Sequence, residues 1–130
     1  MSEEILKALM ELFALVVRQD GGFLEKEREY VAGFLEKQLS SNLMIRYLLL
    51  FDEFIGPSIP GEEIPGNDFP SAQDSVKILN ICRQINRTLN RGQKTIVMIR
   101  LYELVNSSRK FTPRKLKVIA TVAEVFKILP

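Results

Sequence analysis

The chain contains no histidine and a single cysteine, Cys82. Without histidine there is no Ser-His or Cys-His nucleophile pair, no imidazole general base and none of the usual nitrogen ligands for zinc. One cysteine excludes an intramolecular disulfide and agrees with a reducing compartment. No Gly-rich phosphate loop is present. The apolar run Tyr47 to Phe51, held between Arg46 and Asp52, is far too short to span a bilayer. The opening Met1-Ser2-Glu3-Glu4 lacks the basic start and apolar block of a signal peptide, so a cytoplasmic protein is expected. Only carboxylate or lysine chemistry is left, and no nucleophile has a positioned base. A non-enzymatic protein is therefore expected.

What is present fits one domain spanning residues 1–130, with 46% hydrophobic and 26% charged residues. The net charge of +2 conceals an asymmetry. Residues 1–70 hold 6 Lys/Arg against 13 Asp/Glu, a net −7; residues 71–130 hold 12 against 3, a net +9. Two readings stand. The halves attract each other across the fold, or they form surfaces of opposite sign suited to different partners.

Apolar periodicity predicts an all-α fold. Ser2 is a candidate N-cap for a helix carrying Ile5, Leu9, Leu12, Phe13 and Val16, ending near Gln19 before Gly21 and Gly22. A second helix runs from about Leu24 to Gln38 and buries Tyr30, Val31, Phe34 and Leu35. A third, about Leu43 to Ile55, is apolar on most sides. Residues 56–70 hold Pro57, Pro60, Pro65 and Pro70, a density no helix survives. That segment is a connector between half-domains or a partner-binding loop. Ser71 and Asp74 resemble a capping box that opens helix 4, whose stripe Ile78, Cys82, Ile85 and Leu89 makes Cys82 a small core residue. Asn90-Arg91-Gly92 reads as a helix end, and helix 5 as about Gln93 to Asn106. Its Ile96–Ile99 run has strand propensity but continues too long for a strand. Ser107 to Lys110 reads as a turn, and Thr112-Pro113 as the start of helix 6.

Sliding the chain by 88 residues places Val17 on Val105, Phe23 on Phe111, Val31 on Ile119, Ala32 on Ala120 and Glu36 on Glu124. The implied unit is helix, turn, anchoring Phe, helix, with half-repeats at about 2–55 and 71–130. Phe23 and Phe111 would each plug a crevice between two helices. The acids are not repeated: Asp20 falls on Ser108 and Glu27 on Lys115.

Asp20-Gly21-Gly22-Phe23, with Glu27 seven residues after the Asp, resembles the TerB-like family of tellurite-resistance domains, which also occurs in DjlA-type membrane co-chaperones. The resemblance covers most of the chain, with the Pro-rich segment as an insertion. It implies a compact helical bundle of two pseudo-repeated halves, acting as a non-catalytic protein-interaction module in a stress-response or membrane-associated system. Similar domains precede ATP-binding-cassette modules, so an ATPase partner is implied, and Pro130 is either a natural end or a domain boundary. Family members present paired acids for metal. Here Asp20 and Glu27 match the first pair, while Ser108 and Lys115 occupy the second.

Two candidate sites follow. Asp20, Glu25 and Glu27 offer hard oxygen ligands for Ca²⁺, Mg²⁺ or Mn²⁺, which would make the chain a divalent-metal sensor. Gly22 and Leu24 exclude an EF-hand loop. Otherwise Asp20 closes its turn and Glu27 complements a helix dipole, and no cofactor is needed. Arg83, Arg87, Arg91, Arg109, Lys110 and Arg114 form a basic set suited to an acidic partner protein or to phosphates. No aromatic residue interleaves them as in single-strand binders, which ranks nucleic acid below protein.

Overall fold

A computed structural model describes residues 2–20, 25–56 and 69–128, with Asp20 described in its backbone only. These residues form six α-helices and no strand. They are α1 Glu3–Val17, α2 Glu25–Glu36, α3 Ser41–Ile55, α4 Ala72–Thr88, α5 Arg91–Ser108 and α6 Pro113–Phe126. A 3-10 turn, Arg18–Asp20, continues α1. The all-α class expected from periodicity is the observed class, and Ile96–Ile99 lies inside α5.

Helix α1 is the axis of the fold. Ser2 caps it, its Oγ accepting from the Ile5 N–H at 3.3 Å, and Glu3 and Glu4 complement the dipole of the first turn. From Leu12 to Val17 every residue is buried. Such an all-round apolar helix must be enclosed, and α3, α4, α5 and α6 all pack on it. Helix α2 bridges α3 and α5 on the outside, and α6 bridges α4 and α5. Phe13 of α1 meets Phe34 of α2 edge-to-face, with centroids 5.6 Å apart.

Sequence punctuation sets most helix ends, with one correction. Asn90 starts a helix and does not end one. Its Oδ1 accepts from the Gln93 N–H, and its own N–H donates to Gln93 Oε1, both at 2.9 Å. This reciprocal capping box begins α5 at Arg91 and carries it through Gly92. The helix then runs to Ser108, through the start of the expected turn, and Arg109 ends it in the left-handed region at φ 56. Ser71 caps α4, accepting from the Asp74 N–H at 3.1 Å, but the Asp74 carboxylate turns elsewhere.

One packing expectation is also corrected. Phe111 fills no crevice and is 50% exposed. Arg109 turns the chain and Thr112 enters α6 extended, which leaves Phe111 outside; the first buried α6 side chain is Lys115. Its counterpart Phe23 lies outside the described residues, as does the segment 57–68. Helix α3 buries Leu48, Phe51 and Ile55, and among the described residues it packs chiefly on α1 and α2. Leu43, Ile45 and Leu49 stay exposed.

The helix starts respect the 88-residue offset. Glu3 opens α1 and Arg91 opens α5; Glu25 opens α2 and Pro113 opens α6. Val17 and Val105 are both buried, as are Val31 and Ile119, and Met10 and Met98.

Candidate functional site

The interior holds two polar centres. In the first, Lys115 Nζ of α6 donates to both carboxylate oxygens of Glu27 on α2, at 3.2 and 3.1 Å, with both side chains at 0% exposure. Glu27 stands in the first turn of α2 and Lys115 in the first turn of α6. A buried carboxylate is tolerated only when paired, and Lys115 supplies the counter-charge.

The second centre joins three elements. Gln19 Nε2 donates to the Leu15 carbonyl at 2.7 Å and to Asp74 Oδ2 at 3.1 Å. Arg18 Nη2 lies 3.2 Å from Asp74 Oδ1, and Arg18 Nη1 donates to the Phe54 carbonyl at 3.2 Å. The contact to Oδ1 is an ion pair without hydrogen-bond geometry. The end of α1, the end of α3 and the start of α4 are thereby tied together on both sides of segment 57–68.

These placements bear on the metal candidates. Glu27 is engaged by an ammonium group, so a metal ion there would have to displace Lys115. The Asp20 side chain lies outside the described residues. Among the described residues no three Asp, Glu, Cys or His side chains converge to hold a metal ion.

The basic candidates do not form one patch. Arg83 and Arg87 are exposed near the end of α4, where Arg87 Nε donates to the Arg83 carbonyl at 3.3 Å. Arg91 opens α5 beside them. Arg109 and Lys110 are exposed at the other end of α5, with Arg114 in the first turn of α6. At 1.5 Å rise per residue the two groups stand about 27 Å apart along α5.

Between them α5 presents an outward row. Ile96, Ile99 and Tyr102 are 46%, 49% and 52% exposed. Thr95 and Asn106 are exposed on the same side, and the Arg100–Glu103 ion pair, its side chains 40% and 42% exposed, flanks the row. The row's physical cause is composition: between Ile96 and Val105 α5 carries more apolar residues than one face holds, while the residues it buries are Val97, Met98, Leu101, Leu104 and Val105.

Beside the row, α2 and α5 enclose a groove of about 430 Å³ lined by Glu29, Tyr30, Gly33, Lys37, Ile96 and Arg100, among others. Tyr30 Oη donates to Glu103 Oε2 at 2.8 Å, and Arg100 Nη1 donates to Glu103 Oε1 at 2.9 Å. The Tyr30 hydrogen bond, with help from Arg100 and Lys37, holds the Glu103 carboxyl below its ordinary range. Burial, then the bond to Glu103, pushes the Tyr30 phenol well above its ordinary value. Arg100 Nε is buried without a hydrogen-bond partner. This network went unseen in the sequence, although Glu103 is one of only three acids in the basic half. An acid isolated among cations is a signal of specific pairing.

Cys82 is fully buried in α4, and burial pushes its thiol up to about 12. It is the small core residue that the helix stripe predicts. No helix among the described residues is long and apolar enough to cross a membrane. In comparison with known proteins, the chain matches no family model, no curated protein and no solved structure.

Proposed function

We propose that the chain is a non-catalytic protein-interaction module of TerB-like type, working in a cytoplasmic stress-response or membrane- or ATPase-associated system. The observation that carries this reading is the half-exposed α5 row Ile96, Ile99 and Tyr102, with arginine groups beyond each end. Large side chains left half in water on the same face of one helix form a patch that a partner covers with gain. The arginines select a partner whose apolar ridge ends in acids. The polar centres support the same reading: Glu27 and Asp74 are committed to internal partners and hold the helices together.

A photo-crosslinking residue at position 99, with position 76 on α4 as the control, tests this reading in cells. One discrete adduct at position 99 is expected, absent at 76 and lost in Tyr102→Asp. Equal labelling at both positions overturns the assignment of the α5 row. Loss of the adduct in Arg91→Glu and Arg109→Glu would add the arginine ends to the contact.

A further inference from the structure

Glu29 and Gly33 on α2 and Lys37 in the turn just after it follow at intervals of four, so the three lie close to one line on the outward side of the helix. Glu29 and Lys37 are exposed, and all three line the groove beside Ile96. Glycine disfavours a helix interior. A Cβ built on Gly33 would meet nothing within 4 Å, so the packing of one chain gives no reason for glycine there. A close approach from outside does give one, because a missing side chain lets a second backbone come near.

The charges say what approaches. Glu29 stands four residues before Gly33 and Lys37 four after, opposite in sign and symmetric about the glycine. Such a line is complementary to itself when reversed. Two α2 helices crossing antiparallel at Gly33 put Glu29 of each chain opposite Lys37 of the other, twice over. That is the self-complementarity of a two-fold interface. The groove wall adds apolar area, since the half-exposed Ile96 of each copy borders the crossing.

We infer that a second copy of this chain occupies this groove, in an antiparallel two-fold dimer centred on Gly33. The contact is centred on α2 and shares only Ile96 with the partner row on α5, so the charge reversals at Glu29 and Lys37 test it apart from that row.

Sedimentation equilibrium of the full chain across a concentration series tests it. Wild type is expected to dimerise reversibly. Glu29→Lys and Lys37→Glu each turn two attractive pairs into two repulsive ones, and each should weaken the dimer about tenfold or more. Both residues are exposed, and circular dichroism checks that the variants fold. Mixing the two single variants restores both pairs, so a heterodimer should form where neither variant dimerises alone. The double variant Glu29→Lys/Lys37→Glu should self-associate like wild type. A wild-type chain that stays monomeric at about 1 mM overturns the inference. So does a dimer indifferent to both charge reversals, or a mixture that fails to pair.

Discussion

Glu27 and Lys115 stand 88 residues apart in the chain and form one buried ion pair, the Lys115 ammonium 3.2 and 3.1 Å from the two carboxylate oxygens. The offset that aligns the starts of α1 and α5, and of α2 and α6, also superposes these two residues. These two equivalent positions are therefore neighbours in the core. The two equivalent positions hold an acid and a base. Two buried carboxylates would repel unless a cation lay between them, and here Lys115 itself brings the positive charge.

Removing one partner takes the ammonium–carboxylate contact away from a fully buried site. Glu27→Ala and Lys115→Ala are each expected to destabilise the fold by about 3–5 kcal/mol. Glu27→Leu/Lys115→Met should recover much of that loss, since replacing a buried pair by apolar groups is often neutral. Urea denaturation of the single and double variants checks this. Additive losses in the double variant would show that the two side chains do not stabilise one another.

Much of the fold was readable from the chain because its causes are local. Ser2, Ser71 and the Thr112-Pro113 pair mark three helix starts, and the Ile78-Cys82-Ile85 stripe marks the buried face of α4. Asn90 was misleading because Asn-Arg-Gly also occurs at helix ends; the reciprocal bond from Gln93 decides the matter. Phe111 was misleading for another reason. Apolar character shows what burial would gain, but only topology shows whether a neighbour arrives. The polar centres escaped because each joins distant residues: Gln19 with Asp74, Tyr30 with Glu103, Glu27 with Lys115. Their trace in the sequence is the minority charge. Arg18 in the acidic half pairs with Asp74 in the basic half, against the overall asymmetry.

The Tyr30–Glu103 bond makes stability depend on pH. The Glu103 carboxyl titrates below its ordinary range when folded, chiefly because Tyr30 donates to it. A depressed folded value contributes stability above the unfolded value, which is lost as pH falls through the folded one. Tyr30→Phe should therefore cost stability at neutral pH and much less in acid below the carboxylate range. Melting temperatures of both proteins across that window are expected to converge as pH falls. At the alkaline end the Tyr30 phenol is raised, so phenolate absorbance should show a late step that Tyr30→Phe removes.

Cys82 gives a probe of global opening. Its thiol is buried and held neutral, with its pKa pushed up to about 12. Disulfide reagents attack through the thiolate, so the native chain should react far more slowly than the urea-unfolded chain at pH 8. The rate should rise with denaturant in step with unfolding seen by circular dichroism. A thiol that titrates at once in native buffer would contradict the buried position of Cys82.

Gly33 separates what the fold needs from what the surface is for. An added Cβ meets nothing within 4 Å, and alanine lowers the conformational cost of the helix. Gly33→Ala should thus raise stability by about 1 kcal/mol, read as a higher denaturation midpoint with an unchanged slope. Gly33→Leu should fold as well, because its side chain points into the open groove between α2 and α5. A two-fold crossing at this residue would not tolerate the leucine. Measured together, a stabilised chain that no longer dimerises would mean that this position is kept small for the sake of the second copy. A chain destabilised by alanine would instead mean that Gly33 serves the fold of one chain, through a contact that a bare Cβ does not reveal.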